Sequence, residues 1–321
     1  MNKTLALIGA RGYTGSTLLG LLTGHPGLEL VLATSGSSAG CPIIDEVPAW
    51  PNASQRFDDL TPDGVADVAA DVWVLALPNG QSAPWVEAIA AAHPGAVILD
   101  LGADWRFDSD WTYGLTEFNR DAIAGSRRIA NPGCYATGAL FGLLPIRRSL
   151  AAPPVLFGLS GYSGAGRTPG PRNDPERLRD NVIPYALTGH VHESEISTHL
   201  ARPVRFHPHV APFFRGISLT VAVTLTETLS ASELLDLYRD RLAGEALIDV
   251  SEDIPEIRQV ANTPRLAIGG FSVDQRDPMR ATFVVALDNL LKGAASQALQ
   301  NINLALGFDE LTGLFSGSRN S

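Results

Sequence analysis

Six consecutive apolar residues, Val72-Trp73-Val74-Leu75-Ala76-Leu77, constrain this chain more than any other stretch. The run is short, shows no polar alternation and ends in the turn residues Pro78-Asn79-Gly80. Such a run is a strand covered on both faces, as in a parallel sheet between two layers of helices. The start of the chain agrees. An apolar strand over residues 4–9 enters Gly9-Ala10-Arg11-Gly12-Tyr13-Thr14-Gly15, then the helical run Ser16-Thr17-Leu18-Leu19-Gly20-Leu21-Leu22. Glycines between strand and helix allow a tight turn and close approach of a pyrophosphate, which the N–H groups of the helix terminus can hold. Gly9, Arg11, Gly12, Tyr13, Thr14 and Gly15 are therefore candidate dinucleotide-binding residues.

Further strands over 28–34, 96–100 and 128–130 continue the alternation with helices. Residues 1–145, rejoined by 289–321, are expected to form an α/β domain of Rossmann type. Residues 146–288 have another texture. Ser218-Leu219-Thr220-Val221-Ala222-Val223-Thr224-Leu225 alternates polar and apolar, as do stretches near 265–273 and 280–287. This half is expected to be an α+β domain with a largely antiparallel sheet, the catalytic and dimerisation domain that the resemblance named below implies. A chain of 321 residues has room for two cores. Its formal net charge of -10 argues against nucleic acid or an anionic membrane surface as a partner. The N-terminal apolar run stops at Gly9, too short for a signal segment or a membrane span. The two cysteines, Cys41 and Cys134, form neither a disulfide framework nor a zinc pattern, so a reducing cytoplasm is expected.

The second strand ends in Thr34-Ser35-Gly36-Ser37-Ser38, without the acidic residue that holds a ribose 2′-hydroxyl. Hydroxyls of Ser35, Ser37 and Ser38, with Arg11 as a cation, suit a 2′-phosphate, so NADP(H) is expected over NAD. Pro78 and Asn79 border the same crevice. The chemistry centres on Asn131-Pro132-Gly133-Cys134, where a turn runs into the apolar helix Ala139-Leu140-Phe141-Gly142-Leu143-Leu144. Free N–H groups and the dipole at a helix N-terminus favour thiolate. Five of the seven histidines lie between His190 and His209. Four residues after His192 stands Ile196, which breaks the zinc-helix pattern, so no metal is expected. A thiolate that attacks an acyl carbon, a histidine that moves protons and a hydride-carrying cofactor make one reaction class. Ser160-Gly161-Tyr162-Ser163-Gly164-Ala165-Gly166-Arg167 could present N–H groups and a cation to phosphate or carboxylate.

Four motifs in order carry a resemblance over nearly the whole chain. They are Gly9–Gly15, Ile129 to Pro145 around Cys134, Ser160–Arg167, and Asp288-Asn289-Leu290-Leu291-Lys292-Gly293-Ala294-Ala295. The chain resembles the N-acetyl-gamma-glutamyl-phosphate reductase family of arginine biosynthesis, related to aspartate-semialdehyde and glyceraldehyde-3-phosphate dehydrogenases. The resemblance implies reduction of N-acetyl-glutamyl phosphate by NADPH to the semialdehyde and phosphate, through a thioester on Cys134. It implies a base in the His190-Val191-His192 segment, with His190 favoured and His192 close behind. Members usually carry an arginine where Val191 stands, so His207, His209 or Arg215 would have to compensate. Arg106, Asn131, Ser160, Ser163 and Arg167 are expected at the substrate, and Asn289 at the nicotinamide. Relatives assemble as dimers or tetramers, so a homo-oligomer is expected. Two alternatives stay open: a reductase of a related acyl phosphate (aminoadipyl or carrier-linked), and a non-enzymatic NADP-binding regulator.

Overall fold

The computed structural model describes residues 2–315 and divides into two compact units. One runs to Gly133 and resumes at Ala294, and the other is Cys134–Gly293. In the first, β1 (Lys3–Ile8), β2 (Leu28–Ala33), β3 (Val72–Leu75), β4 (Val97–Asp100), β5 (Thr112–Tyr113) and β6 (Arg128–Ala130) form one sheet in the order β2-β1-β3-β4-β6-β5. Every pairing is parallel. The four residues of β3 have no exposed surface, as an uninterrupted apolar strand inside such a sheet requires. Helices α1 (Tyr13–Leu22), α2 (Ala83–Ala92) and α3 (Thr116–Ala124) belong to this unit. Both β5 and α3 lie where the sequence shows only turn character. Their own apolar surface is small, with Thr116 and Ile123 the buried residues of α3.

The second unit opens with α4 (Cys134–Leu143), of which every residue after Cys134 is buried. Its sheet is β7 (Val155–Gly161), β8 (Ile183–Pro184), β9 (Arg205–Ala211), β10 (Ile217–Thr224), β11 (Ile248–Val250), β12 (Leu266–Asp274) and β13 (Asp277–Leu287). The order is β11-β12-β13-β10-β7-β9-β8. Four pairings are antiparallel, while β11 with β12 and β7 with β9 are parallel. Helices α5 (Pro175–Leu178), α6 (Val191–Leu200), α7 (Ala231–Arg241) and α8 (Ile257–Val260) complete it. The sequence expectation placed the boundary after residue 145. The structure puts α4 with the second unit because the helix lies close on that sheet. A Cβ at Gly138 would stand 2.8 Å from Leu219 Cδ1 and 2.9 Å from Leu287 Cδ2, on β10 and β13.

The last helix, α9 (Ser296–Leu306), returns to the first unit and is buried over Ser296 to Asn303 despite its amides. Those amides replace missing ladder partners. Asn301 Nδ2 and Gln297 Nε2 donate to the Gly114 carbonyl at 2.8 and 3.1 Å, and Thr116 Oγ1 donates to Asn301 Oδ1 at 2.8 Å. Asn303 Oδ1 meets His25 Nε2 at 2.9 Å. A π-turn over Leu291–Ala295 leads into α9. No helix among the described residues is long and apolar enough to cross a membrane.

Close seating of α4 predicts that Gly138→Leu destabilises the protein by roughly 1–3 kcal/mol through overpacking. Urea denaturation would show a lower midpoint at unchanged slope.

Candidate active site

Cys134 is the first residue of α4, partly buried and not in a disulfide. Its seat is built by the segment around the π-turn. Asp288, fully buried, accepts from the Leu290 and Leu291 N–H groups through Oδ1 at 2.8 and 3.1 Å. Its Oδ2 accepts from Asn262 N–H at 2.7 Å and from Arg215 Nη1 at 3.3 Å. Gly293 N–H then donates to the Asp288 carbonyl at 2.9 Å. This brings Gly293 against Cys134: an added Cβ would stand 2.8 Å from Cys134 Cβ. Lys292, fully buried, has its ammonium 5.4 Å from the Phe141 ring centre on α4.

Around Cys134 the second unit gathers aromatic and titratable side chains. Tyr135 donates to the His209 carbonyl at 2.9 Å, and its ring meets those of Phe206 and His192 edge-on at 4.8 and 5.9 Å. His190 lies 4.8 Å from His192 and 5.5 Å from Tyr185, ring centre to ring centre. Burial, then Tyr185 and the Cys134 charge, raise the Tyr135 phenol well above the usual range. Tyr185 is pushed up to about 12 by burial and then by Cys134. Both tyrosines are therefore neutral donors. His190 is lowered, first by burial and then by the positive charge of Arg172, against the opposing pull of Glu195 and Glu193. Its Nδ1 caps α6, accepting from His192 N–H at 3.0 Å. An accepting Nδ1 leaves the ring proton on Nε2. Glu193 fixes the start of α6, accepting from Gly189 and Phe206 N–H groups at 3.3 and 2.9 Å.

The glycine-rich turn after β7 lies beside Asn289. Asn289 Nδ2 donates to Ser163 Oγ at 2.9 Å, and its Oδ1 accepts from Gly216 N–H at 2.7 Å. A Cβ at Gly164 would stand 3.1 Å from Ser160 Oγ and 3.9 Å from Asn289 Nδ2, so the structure brings Ser160, Ser163 and Asn289 together. Arg167 lies partly buried just past this turn. Of the residues expected to stand in for a charge at Val191, Arg215 is held by Asp288 and Asn262. The His209 ring lies 4.4 Å from Phe157, its Nδ1 on the His207 carbonyl. Among the described residues no group of three or more His, Cys, Asp or Glu could hold a metal ion.

In the first unit the loop after β1 fits a dinucleotide. Gly9 has φ +81°, and a Cβ there would stand 2.4 Å from the Ala76 carbonyl oxygen. Only glycine leaves this cradle open. Gly12 caps α1, which starts at Tyr13 and Thr14, and a Cβ at Gly15 would meet the Ala10 backbone at 2.7 Å. Arg11 Nη1 donates to Ser37 Oγ at 2.8 Å, so the cation and the serine loop lie together. Ser35 is buried, with its N–H on the Asp58 carbonyl at 3.0 Å, and Ser38 N–H turns back to the Ser35 carbonyl. The sequence did not foresee Asp59 folding towards this loop, its Oδ1 4.0 Å from where a Gly36 Cβ would be. Asn79, after Pro78, accepts from Ala103 N–H at 3.1 Å, joining the loops that follow β3 and β4.

Two residues expected at the substrate are engaged in the scaffold of the first unit. Arg106 donates from Nε to the Asn131 carbonyl at 2.9 Å and from Nη2 to the Leu101 carbonyl at 3.0 Å. Asn131 accepts from Asn301 Nδ2 at 3.1 Å and donates to the Ala294 carbonyl at 3.3 Å. Asp100, at the end of β4, is fully buried and neither carboxylate oxygen completes a hydrogen bond. Burial first, and Asp104 after it, push it up to about 7, against Gly102 N–H and Arg106.

Known proteins align with both units. Residues 4–126 match the NAD binding domain of semialdehyde dehydrogenases, and residues 134–289 their dimerisation domain. An N-acetyl-gamma-glutamyl-phosphate reductase of Xanthomonas campestris is 48% identical over 97% of this chain and 98% of its own. One from Xylella fastidiosa is 50% identical over 97% of this chain and 94% of its own. In fold, aspartate semialdehyde dehydrogenase II of Vibrio cholerae, solved with ASA, gives a TM-score of 0.77 at 21% identity, covering 96% of this chain and 99% of that one. The Candida albicans enzyme solved with NADP gives 0.68 at 16%, covering 94% and 99%.

Gly293→Ala is expected to displace Cys134, with kcat falling about 100-fold and the melting temperature lowered as well, because the added methyl also meets backbone. Steady-state kinetics beside thermal unfolding checks this. Because Asp100 is raised in the folded state, its contribution to stability is complete below pH 4 and is lost as pH rises through about 7. Asp100→Asn should therefore stabilise the protein more at pH 8 than at pH 5, by up to about a few kcal/mol, in urea titrations.

Proposed function

Since the chain belongs to the N-acetyl-gamma-glutamyl-phosphate reductase family of semialdehyde dehydrogenases, we propose that this oxidoreductase reduces N-acetyl-L-glutamyl 5-phosphate to N-acetyl-L-glutamate 5-semialdehyde in arginine biosynthesis. The observation that carries the reading is Cys134 at the start of α4, beside Tyr135 and the His190–His192 pair in one unit.

The Cys134 thiolate attacks the acyl carbon and displaces phosphate, leaving a thioester. A reduced nicotinamide, when bound, supplies the hydride that takes the thioester carbon to the aldehyde level. Collapse of the resulting hemithioacetal releases the semialdehyde and returns the thiolate. The two histidines have unlike tasks in this geometry. His190, with Nδ1 occupied by the helix cap, donates from Nε2 to the acyl oxygen as negative charge builds there. His192 carries the proton between thiol and bound groups, a division that differs from the sequence preference for His190 as base. Ser160, Ser163 and the turn they frame hold the phosphate, with Arg167 as its cation. Asn289 orients the nicotinamide amide.

The dinucleotide is held at Gly9 to Gly15, with Pro78 and Asn79 at its border. We read it as NADPH because Arg11 and Ser37 pair beside Ser35 and Ser38. Arg11 outweighs the nearby Asp59 by meeting a 2′-phosphate directly. The enzyme works as a homo-oligomer assembled through the second unit, in the cytoplasm, where Cys134 stays reduced.

The deciding assay supplies N-acetyl-L-glutamate 5-semialdehyde, phosphate and NADP and follows NADPH absorbance. Wild type should turn over, and Cys134→Ala should lose at least about 1,000-fold. An inactive wild type, or an active Cys134→Ala, would refute the reading. His192→Ala should lose far more kcat than His190→Ala. Arg11→Ala should raise KM for NADP by about tenfold and leave that for NAD unchanged.

A further inference from the structure

At the edge of the histidine cluster a guanidinium lies over an aromatic ring, and it makes no ion pair with a carboxylate among the described residues. Arg172 Cζ stands 4.7 Å from the Tyr185 ring centre. Tyr185 is close enough to Cys134 for the thiol's charge to raise its phenol, and Arg172 is close enough to His190 to disfavour its protonation. With the Tyr185 ring 5.5 Å from that of His190, Arg172 is a cation one ring away from His190.

Three acids of this loop and of α6 are committed elsewhere, while Glu195, fully buried on α6, acts on His190. Asp174 caps α5 by accepting from Glu176 N–H at 3.0 Å, and Glu176 pairs with Arg179. Glu193 spends both oxygens on the Gly189 and Phe206 N–H groups. The loop that bears Arg172 is tied down by Asn173. Its Nδ2 donates to the Gly166 and Thr168 carbonyls at 2.8 Å each, and its Oδ1 accepts from Gly170 N–H at 2.7 Å. Stacking on Tyr185 covers one face of the guanidinium, one of its N–H groups meets the Tyr185 hydroxyl, and the other donors of its edge suit an anion. In a protein of net charge -10, an anionic substrate needs such a local cation.

We propose that Arg172 receives an anionic oxygen group of the substrate, either its remote carboxylate or its phosphoryl group, and thereby sets substrate preference; this rests on the reduction described above. The oxidative direction separates the two groups, because the semialdehyde and inorganic phosphate are then different reactants. Arg172→Ala should raise KM for one of them at least about tenfold, with the loss mainly in KM and the KM for NADP unmoved. A rise for the semialdehyde assigns the carboxylate, and a rise for phosphate assigns the phosphoryl group. Arg172→Lys should recover part of the loss, since it restores charge without the planar fork. Unchanged KM values for both reactants would overturn the proposal.

A second measurement needs no turnover. Alkylation of Cys134 by iodoacetamide should be slowed by N-acetyl-L-glutamate or by inorganic phosphate in wild type, and not in Arg172→Ala. If wild type protects in this way yet turns nothing over, the reduction is wrong and the anion site stands. Equal protection in both proteins, or none in wild type, overturns the anion site.

Discussion

The hold on Asn131 is the constraint on which the first unit most depends. Its carbonyl takes the Arg106 Nε–H, and its side chain joins Asn301 to the Ala294 carbonyl. An Asn-Pro-Gly turn lacks a donor at proline and has little ladder of its own, so its polar groups must be satisfied from outside. A guanidinium and two amides do this where water is excluded. Each charge-assisted bond of this kind contributes about 1.5–3 kcal/mol, and leaving a partner unmet costs as much again. The polar burial of α9 follows: Gln297, Asn301 and Asn303 face carbonyls and a histidine that would otherwise go unmet.

Small residues do the matching work in the second unit. Glycine at 138 and 142 lets α4 approach its sheet, and Gly293 lets the π-turn approach Cys134. The turn is wound off-register because Asp288 collects two N–H groups through one oxygen and holds Asn262 and Arg215 through the other. A fully buried carboxylate so satisfied costs little, unlike Asp100, where burial outweighs the Gly102 N–H and Arg106. Cys134 thus stands at the start of a helix seated on its sheet, and burial disfavours charge on Tyr135, Tyr185 and His190. Neutral donors of this kind can stabilise charge that develops during acyl transfer without competing for it beforehand.

The sequence by itself determined the architecture and the place of Cys134 at a helix start. An unbroken apolar run such as Val72–Leu77 has one stable use, alternation over 218–225 has another, and a turn into an apolar helix at Cys134 needs no distant partner to be read. It also showed Gly9 as a backbone position, because periodicity and glycine spacing are local. Only the tertiary structure decided how side chains are spent. Arg106 reaches the Asn131 carbonyl, and Asn131 joins Asn301 to Ala294, bonds that no local spacing shows. Arg172 and Tyr185 carry no pattern in a proline-rich loop, and Asp59 reaches the serine loop from another turn. Local spacing limits which backbone states are possible. The fate of a charge depends on which long-range partner meets it and how much water is left beside it, and folding alone sets both.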